Sequence, residues 1–297
     1  MRPMLPALLA LGLSPLAAFA QAPPSSPPPA AMPAATDTIA ITRDPKLPAW
    51  EQDAKRTLDR SPRHGEYVDI PWAKDKPPLR TWIMYPERKD KAGVVLIVHE
   101  IFGLSDWIRS VADQFAADGF IAVAPDLISG LGPGGGGTDS VPSRDDVVKL
   151  VRTLDLAGTN QRLDAVRAYA IQLPAANGRI ATVGFCWGGG RSFSYAAATP
   201  PPDAAVVFYG VAPDSASLPN VKAPVLGHYG GDDARVDATI PPAQEALKKL
   251  NRFYEPHVYD GAGHGFLRAQ TLRGGANYKA TQQAWPRTIE FLRKYLK

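Results

Sequence analysis

"RIATVGFCWGGGRSF", Arg179 to Phe193, is the stretch on which the fold turns. An apolar run, Arg179–Gly184, reads as a strand, and the residues after Gly188 read as a helix. Between them Gly184-Phe185-Cys186-Trp187-Gly188 has the form G-x-nucleophile-x-G. Such a turn is so sharp that its flanking positions must lack a β-carbon, and it holds the central side chain exposed above the sheet. Cys186 then sits at a helix N-terminus, where the macrodipole favours a thiolate. The N–H of Trp187 is left to donate to a developing oxyanion. Cys186 is the only cysteine in 297 residues, so no internal disulfide can form. An inert buried thiol, an intermolecular bridge and a reactive nucleophile remain, and the elbow favours the nucleophile.

Outward from the elbow, short apolar runs alternate with amphipathic ones. Gly93–Glu100 ("GVVLIVHE") is a continuous β-branched run, as expected of a strand buried on both faces. Ser105 can cap a helix whose Ile108, Val111, Ala112, Phe115 and Ala116 recur at helical spacing, with Gly119 as its stop. Strands are expected at Phe120–Leu127, Ala204–Tyr209, Ala223–Tyr229 and Glu255–Asp260, and helices from about Ser143 and over Thr159–Leu173. A last helix, Tyr278–Leu296, carries Pro286, which should kink it. "GEYVDIPW" and "LRTWIMYP" read as an antiparallel lead-in pair at the sheet edge. The alternation predicts an α/β fold, a mostly parallel central sheet with helices on both faces, and its sites belong beyond the strand carboxyl ends.

A nucleophile elbow needs a base and an acid later in the chain. Asp232 and Asp233 follow one strand and His264 follows the last, in a glycine-rich loop. One aspartate can orient the imidazole while the other meets solvent; the pattern alone does not choose. His99 and His228 sit near strand ends as packing groups, His64 lies in a polar lead-in and His257 within a strand. None has a second histidine or cysteine at ligand spacing, so neither a metal nor another cofactor is expected. The glycines of "GLGPGGGG" (130–137) fit a dinucleotide fingerprint only nominally. Pro133 interrupts them and the next helix begins too late to cradle a pyrophosphate, so a flexible loop over the site is the reading.

The amino terminus has a positive residue, Arg2, an apolar stretch Leu5–Leu16 and the small-x-small Ala18-Phe19-Ala20, which together predict a signal peptide over 1–20. The apolar stretch is short for a membrane span, which takes about 20 residues. Residues 21–35, rich in Pro, Ala and Ser, read as a linker, and 36–297 as one domain. A secreted protein is expected, periplasmic in a Gram-negative source, with no membrane attachment after cleavage. A formal net charge of +4 with interspersed signs lacks the footprint of a nucleic-acid binder. A monomer is expected.

With the elbow, the acid, the histidine and "VHEIFGLSDWIR" in hand, the chain from about Gly65 onward resembles the dienelactone hydrolase (carboxymethylenebutenolidase) family of α/β hydrolases. The resemblance implies Cys186 as nucleophile, selects Asp233 through its G-G-x-D turn, and takes His264 from an H-G-F motif. It further implies that Glu100 contacts the resting thiol, that the N–H of Ile101 completes an oxyanion hole with Trp187, and that Arg268 binds a substrate carboxylate. Phe102 and Phe266, in the same motifs, are expected to line the substrate pocket. In one respect the chain departs from the pattern: after Pro125-Asp126-Leu127 the family's second substrate-binding arginine is missing. Arg144, at the end of the glycine loop, is the candidate replacement.

The expected chemistry is hydrolysis of a small ester or dienelactone-type lactone through a thioester. A general carboxylesterase with the same triad is the alternative within enzymes. A non-catalytic binding or redox protein using the thiol is the alternative outside them, disfavoured because no resolving cysteine exists.

Overall fold

A computed structural model describes residues 38–297. The expected signal peptide, and the linker that follows it, lie outside the described residues. One sheet of eight strands organises the rest, in the order β1-β2-β4-β3-β5-β6-β7-β8. The strands are β1 (Gly65–Ile70), β2 (Leu79–Met84), β3 (Ala92–Val98), β4 (Ile121–Pro125), β5 (Ala176–Phe185), β6 (Ala204–Phe208), β7 (Val225–Gly230) and β8 (Tyr254–Tyr259). β1 pairs β2 antiparallel, and β2 pairs β4 antiparallel. From β4 to β8 all pairings are parallel. β3, β4, β6 and β7 are buried at every residue. That is why they read as unbroken apolar runs: helices cover both of their faces.

The helices are α1 (Ala54–Asp59), α2 (Asp106–Ala117), α3 (Arg144–Arg152), α4 (Leu156–Ala170), α5 (Trp187–Tyr195), α6 (Ala234–Asp237), α7 (Ile240–Lys249) and α8 (Ala276–Tyr295). α2 and α8 share one apolar layer with the sheet. On the opposite face α3 and α4 pack in a second cluster and α7 in a third. The caps are those the sequence suggests at two helices, Ser105 accepting from the Ile108 N–H and Ser143 from the Asp146 N–H. α4 begins at Leu156, ahead of the expected Thr159, because Asp155 accepts the Gly158 N–H at 2.6 Å and caps it there. Pro286 lies inside α8, with Ala284, Trp285, Ile289 and Leu292 buried on both sides of it.

One sequence expectation is corrected. The glycine-rich segment expected to be a flexible loop is tied down: Asp126 accepts the Thr138 N–H at 2.6 Å and its hydroxyl at 2.9 Å. Thr138 in turn accepts the Leu104 N–H at 3.0 Å, and Gly136 accepts from Gly130 and Gly132. A buried carboxylate needs donors, and this loop supplies them. α7 is not among the helices expected from the sequence, and it contains Pro241 and Pro242. They fall in its first turn, where no backbone donor is needed.

β3 leads through α2 to β4 on one side, while β5 returns to pair with β3 on the other. The strand order therefore reverses at β3, and the residues just beyond β3 and β5 face the crevice where α/β sheets bind ligands.

Candidate active site

Cys186 is held at φ 54°, a conformation rare for a residue with a side chain. The strain is imposed by packing. A β-carbon on Gly184 would lie 1.9 Å from the Gly188 carbonyl oxygen, and one on Gly188 would lie 2.2 Å from the Val98 carbonyl oxygen. Only glycines let the turn close and let α5 approach the end of β3. The Cys186 N–H donates to the Phe208 carbonyl at 3.0 Å, fixing the turn to β6. Its side chain is partly exposed.

Beyond β7, Asp233 faces His264, which follows β8. The imidazole Nδ1 donates to Asp233 Oδ2 at 2.5 Å. Burial alone would lower the proton affinity of His264, but hydrogen bonds to Asp233 and Cys186 raise its pKa to about 10. Asp232, its neighbour in sequence, turns outward to an ion pair with Arg273. Arg273 lies against Gly263, and the Gly263 N–H donates to Asn277 at 3.0 Å, so the loop carrying His264 is braced from two sides.

After β3 come Glu100, Ile101 and Phe102. Among the described residues, no protein acceptor takes the backbone N–H of Ile101 or of Trp187. Both are available to a bound oxygen. The carboxylate of Glu100 is buried, and one oxygen lies 3.0 Å from Arg268 Nε. Among the described residues no hydrogen bond joins it to the Cys186 thiol, the contact the sequence resemblance implied. A buried carboxylate gains more from a guanidinium than from a neutral thiol. Burial raises the pKa of Glu100, while the charges of Arg268 and His264 act against that rise.

Arg268, itself buried, pairs with Glu51 as well as Glu100. Arg144 meets the other oxygen of Glu51 at 2.8 Å. Its guanidinium carbon is 3.5 Å from the centre of the Phe102 ring, and that of Arg268 is 5.1 Å away. Phe102 is thus half-buried beneath two cations. Phe266, expected to line the pocket, has no exposed surface: Phe208, Tyr209 and Tyr259 pack around it. It supports the site from below.

Two residues escaped the sequence reading. Tyr209, directly after β6, adopts φ 41° and sets its ring 5.2 Å from that of His264. Its buried hydroxyl has no hydrogen-bond partner among the described residues. Burial holds its pKa well above the usual phenol value, and the charge of Glu100 adds to that. Its position at a strand carboxyl end was the available signal. Glu51 precedes the first strand and carried no motif.

His99 and His228 are fully buried. His99 Nδ1 donates to the Glu100 carbonyl at 2.7 Å, and its Nε2 accepts the Leu127 N–H at 3.2 Å. His228 contacts the Tyr259 and Thr288 hydroxyls. Both are packing groups. Among the described residues no group of three or more acidic, histidine or cysteine side chains is arranged to hold a metal.

The dienelactone hydrolase family model matches residues 79–296. A carboxymethylenebutenolidase of Pseudomonas putida is 33% identical over 210 residues, covering 69% of this chain and 86% of its own length. A dienelactone hydrolase structure from Anabaena variabilis superposes with a TM-score of 0.58 at 22% identity, covering 79% of this chain and 99% of that one. A dienelactone hydrolase-like promiscuous phosphotriesterase from metagenomic libraries gives a TM-score of 0.68 at 20% identity, over 79% and 99% of the two chains. Both structural likenesses show a shared fold.

Proposed function

Since the chain belongs to the dienelactone hydrolase family of α/β hydrolases and is a hydrolase, we propose that it cleaves a small ester or lactone with Cys186, His264 and Asp233. The observation that carries this reading is the strained cysteine at the turn after β5 together with the imidazole of His264 that Asp233 holds.

In this mechanism the thiol proton already rests on His264 as the imidazolium, and the Cys186 thiolate attacks the carbonyl carbon. The carbonyl oxygen becomes an oxyanion, held by the N–H groups of Ile101 and Trp187. When the tetrahedral species collapses, the C–O bond breaks and the imidazolium gives its proton to the leaving oxygen. A thioester on Cys186 remains. His264, now neutral, takes a proton from water as that water attacks the thioester. The C–S bond then breaks, releasing the acid and the thiolate. Asp233 stabilises the imidazolium throughout, and Tyr209 walls one edge of the ring.

Replacing Cys186 with Ala is expected to lower kcat/KM on an aryl acetate by about 10³-fold or more. The comparison needs purified protein of both kinds and a small panel of aryl esters and lactones. Turnover that survives the substitution at the same rate would sink the proposed nucleophile.

A further inference from the structure

The two guanidiniums above Phe102 are arranged as a clamp for a carboxylate, and a carboxylate of the protein already occupies it. Glu51 places one oxygen on Arg144 and the other on Arg268. It is not a loose side chain that chanced to fall there. The Glu51 N–H donates to the Arg268 carbonyl at 3.0 Å, Gln270 donates to the Pro48 carbonyl at 2.9 Å, and Trp107 donates to the Ala49 carbonyl at 3.0 Å. Leu47 and Ala49 are buried beside these bonds. Residues 47–51 are therefore a strap sewn to the segment that carries Arg268. The strap lies ahead of the region matched by the family, which begins at residue 79.

A carboxylate that binds both guanidiniums does two things to an incoming anion. It takes the hydrogen-bond donors that the anion would use, and it adds a negative charge beside Glu100, with which it shares Arg268. We propose that Glu51 is a specificity-determining residue, which fills the Arg144–Arg268 clamp and so directs the site to esters and lactones that carry no carboxylate of their own. This rests on Cys186 as the reactive thiol of the proposed hydrolase, and it narrows the substrate class to neutral acyl compounds. The missing arginine after Pro125-Asp126-Leu127 fits the same selection.

Cys186 is the single thiol of the chain, so its alkylation reports the charge preference of the site without any ester turnover. Iodoacetate and iodoacetamide differ by one negative charge at nearly equal size. Each second-order rate is measured by intact mass and divided by the same reagent's rate with N-acetylcysteine. The ratio of iodoacetate to iodoacetamide is expected to be low in the unaltered protein and to rise about tenfold in Glu51→Gln, the order expected for removal of one partly solvated charge and release of its two guanidiniums. Adding Arg144→Gln to that variant should lower it again. Arg144→Gln alone should push the ratio several-fold below that of the unaltered protein, an outcome that an unfolded chain, reacting as a free thiol, cannot give. The monoanionic 4-nitrophenyl hydrogen glutarate and its methyl ester test the same preference in turnover, where Glu51→Gln should lower KM for the anion relative to the ester. Ratios within twofold of one another in the unaltered protein, Glu51→Gln and Arg144→Gln would overturn the proposal. Absence of ester cleavage together with the expected alkylation ratios would instead overturn the hydrolytic role of Cys186 and leave the charge selection standing.

Discussion

His264 keeps its proton well beyond the ordinary histidine value of 6.5, up to about 10, because Asp233 and Cys186 both hydrogen-bond to it against the opposing effect of burial. The sign of the consequence follows from the proposed chemistry. Below about pH 10 the imidazolium can protonate the leaving oxygen, so kcat/KM should hold across the neutral range and fall as pH rises through about 10. Asp233→Asn replaces the carboxylate on Nδ1 with a neutral amide, moving this limb down toward 6.5 and lowering kcat by about 10²-fold or more. A pH–rate profile with an NMR titration of the ring measures both. An alkaline limb already near 6.5 in the unaltered protein would contradict the pairing. Asp232 shows how little separates a site residue from a surface one: one position earlier in the same turn, it meets Arg273 instead.

At the scale of elements, the strand-to-helix turn between β5 and α5 depends on what is absent from Gly184. A methyl group there would stand 1.9 Å from the Gly188 carbonyl oxygen and 2.8 Å from the Gly189 nitrogen, backbone that cannot give way like a flexible side chain. Gly184→Ala is expected to destabilise the protein by about 3 kcal/mol in urea unfolding and to abolish cysteine-dependent turnover. A loss below about 1 kcal/mol would mean that the turn can open cheaply, contrary to its close packing on β3. The glycine loop after β4 teaches the opposite lesson about composition. Its many glycines suggest freedom, yet Asp126 and Thr138 pin it to the turn that follows β3. α7 likewise forms despite two prolines, because they sit where a helix needs no donors.

For the whole molecule, the reversal of strand order at β3 brings together groups from the ends of β3, β5, β6, β7 and β8, and the strap ahead of β1 closes the arrangement through Glu51. The amino-terminal residues bear on where this site works. Export with cleavage after Ala20 is proposed from the charge, the apolar stretch and the small-x-small motif. Intact mass of the exported protein should show a chain starting at Gln21, and a chain starting at Met1 in that fraction would refute it.

The sequence by itself determined the fold class, the antiparallel lead-in pair, the buried parallel strands and the elbow. Each is encoded within about ten neighbouring residues, by β-branched runs that suit strands buried on both faces or by glycines that a sharp turn requires. It also brought the aspartate and histidine to strand ends in the right order, although choosing Asp233 over Asp232 needed the family resemblance. Only the tertiary structure decided that Phe266 is core, that Tyr209 flanks the imidazole, that Glu100 faces Arg268, and that Glu51 reaches a partner 217 residues away. Those contacts join segments far apart in the chain, and no local spacing or propensity records them. Charge pairing beneath a protein surface follows from which segments the sheet order brings side by side, so it becomes legible only once the sheet is assembled.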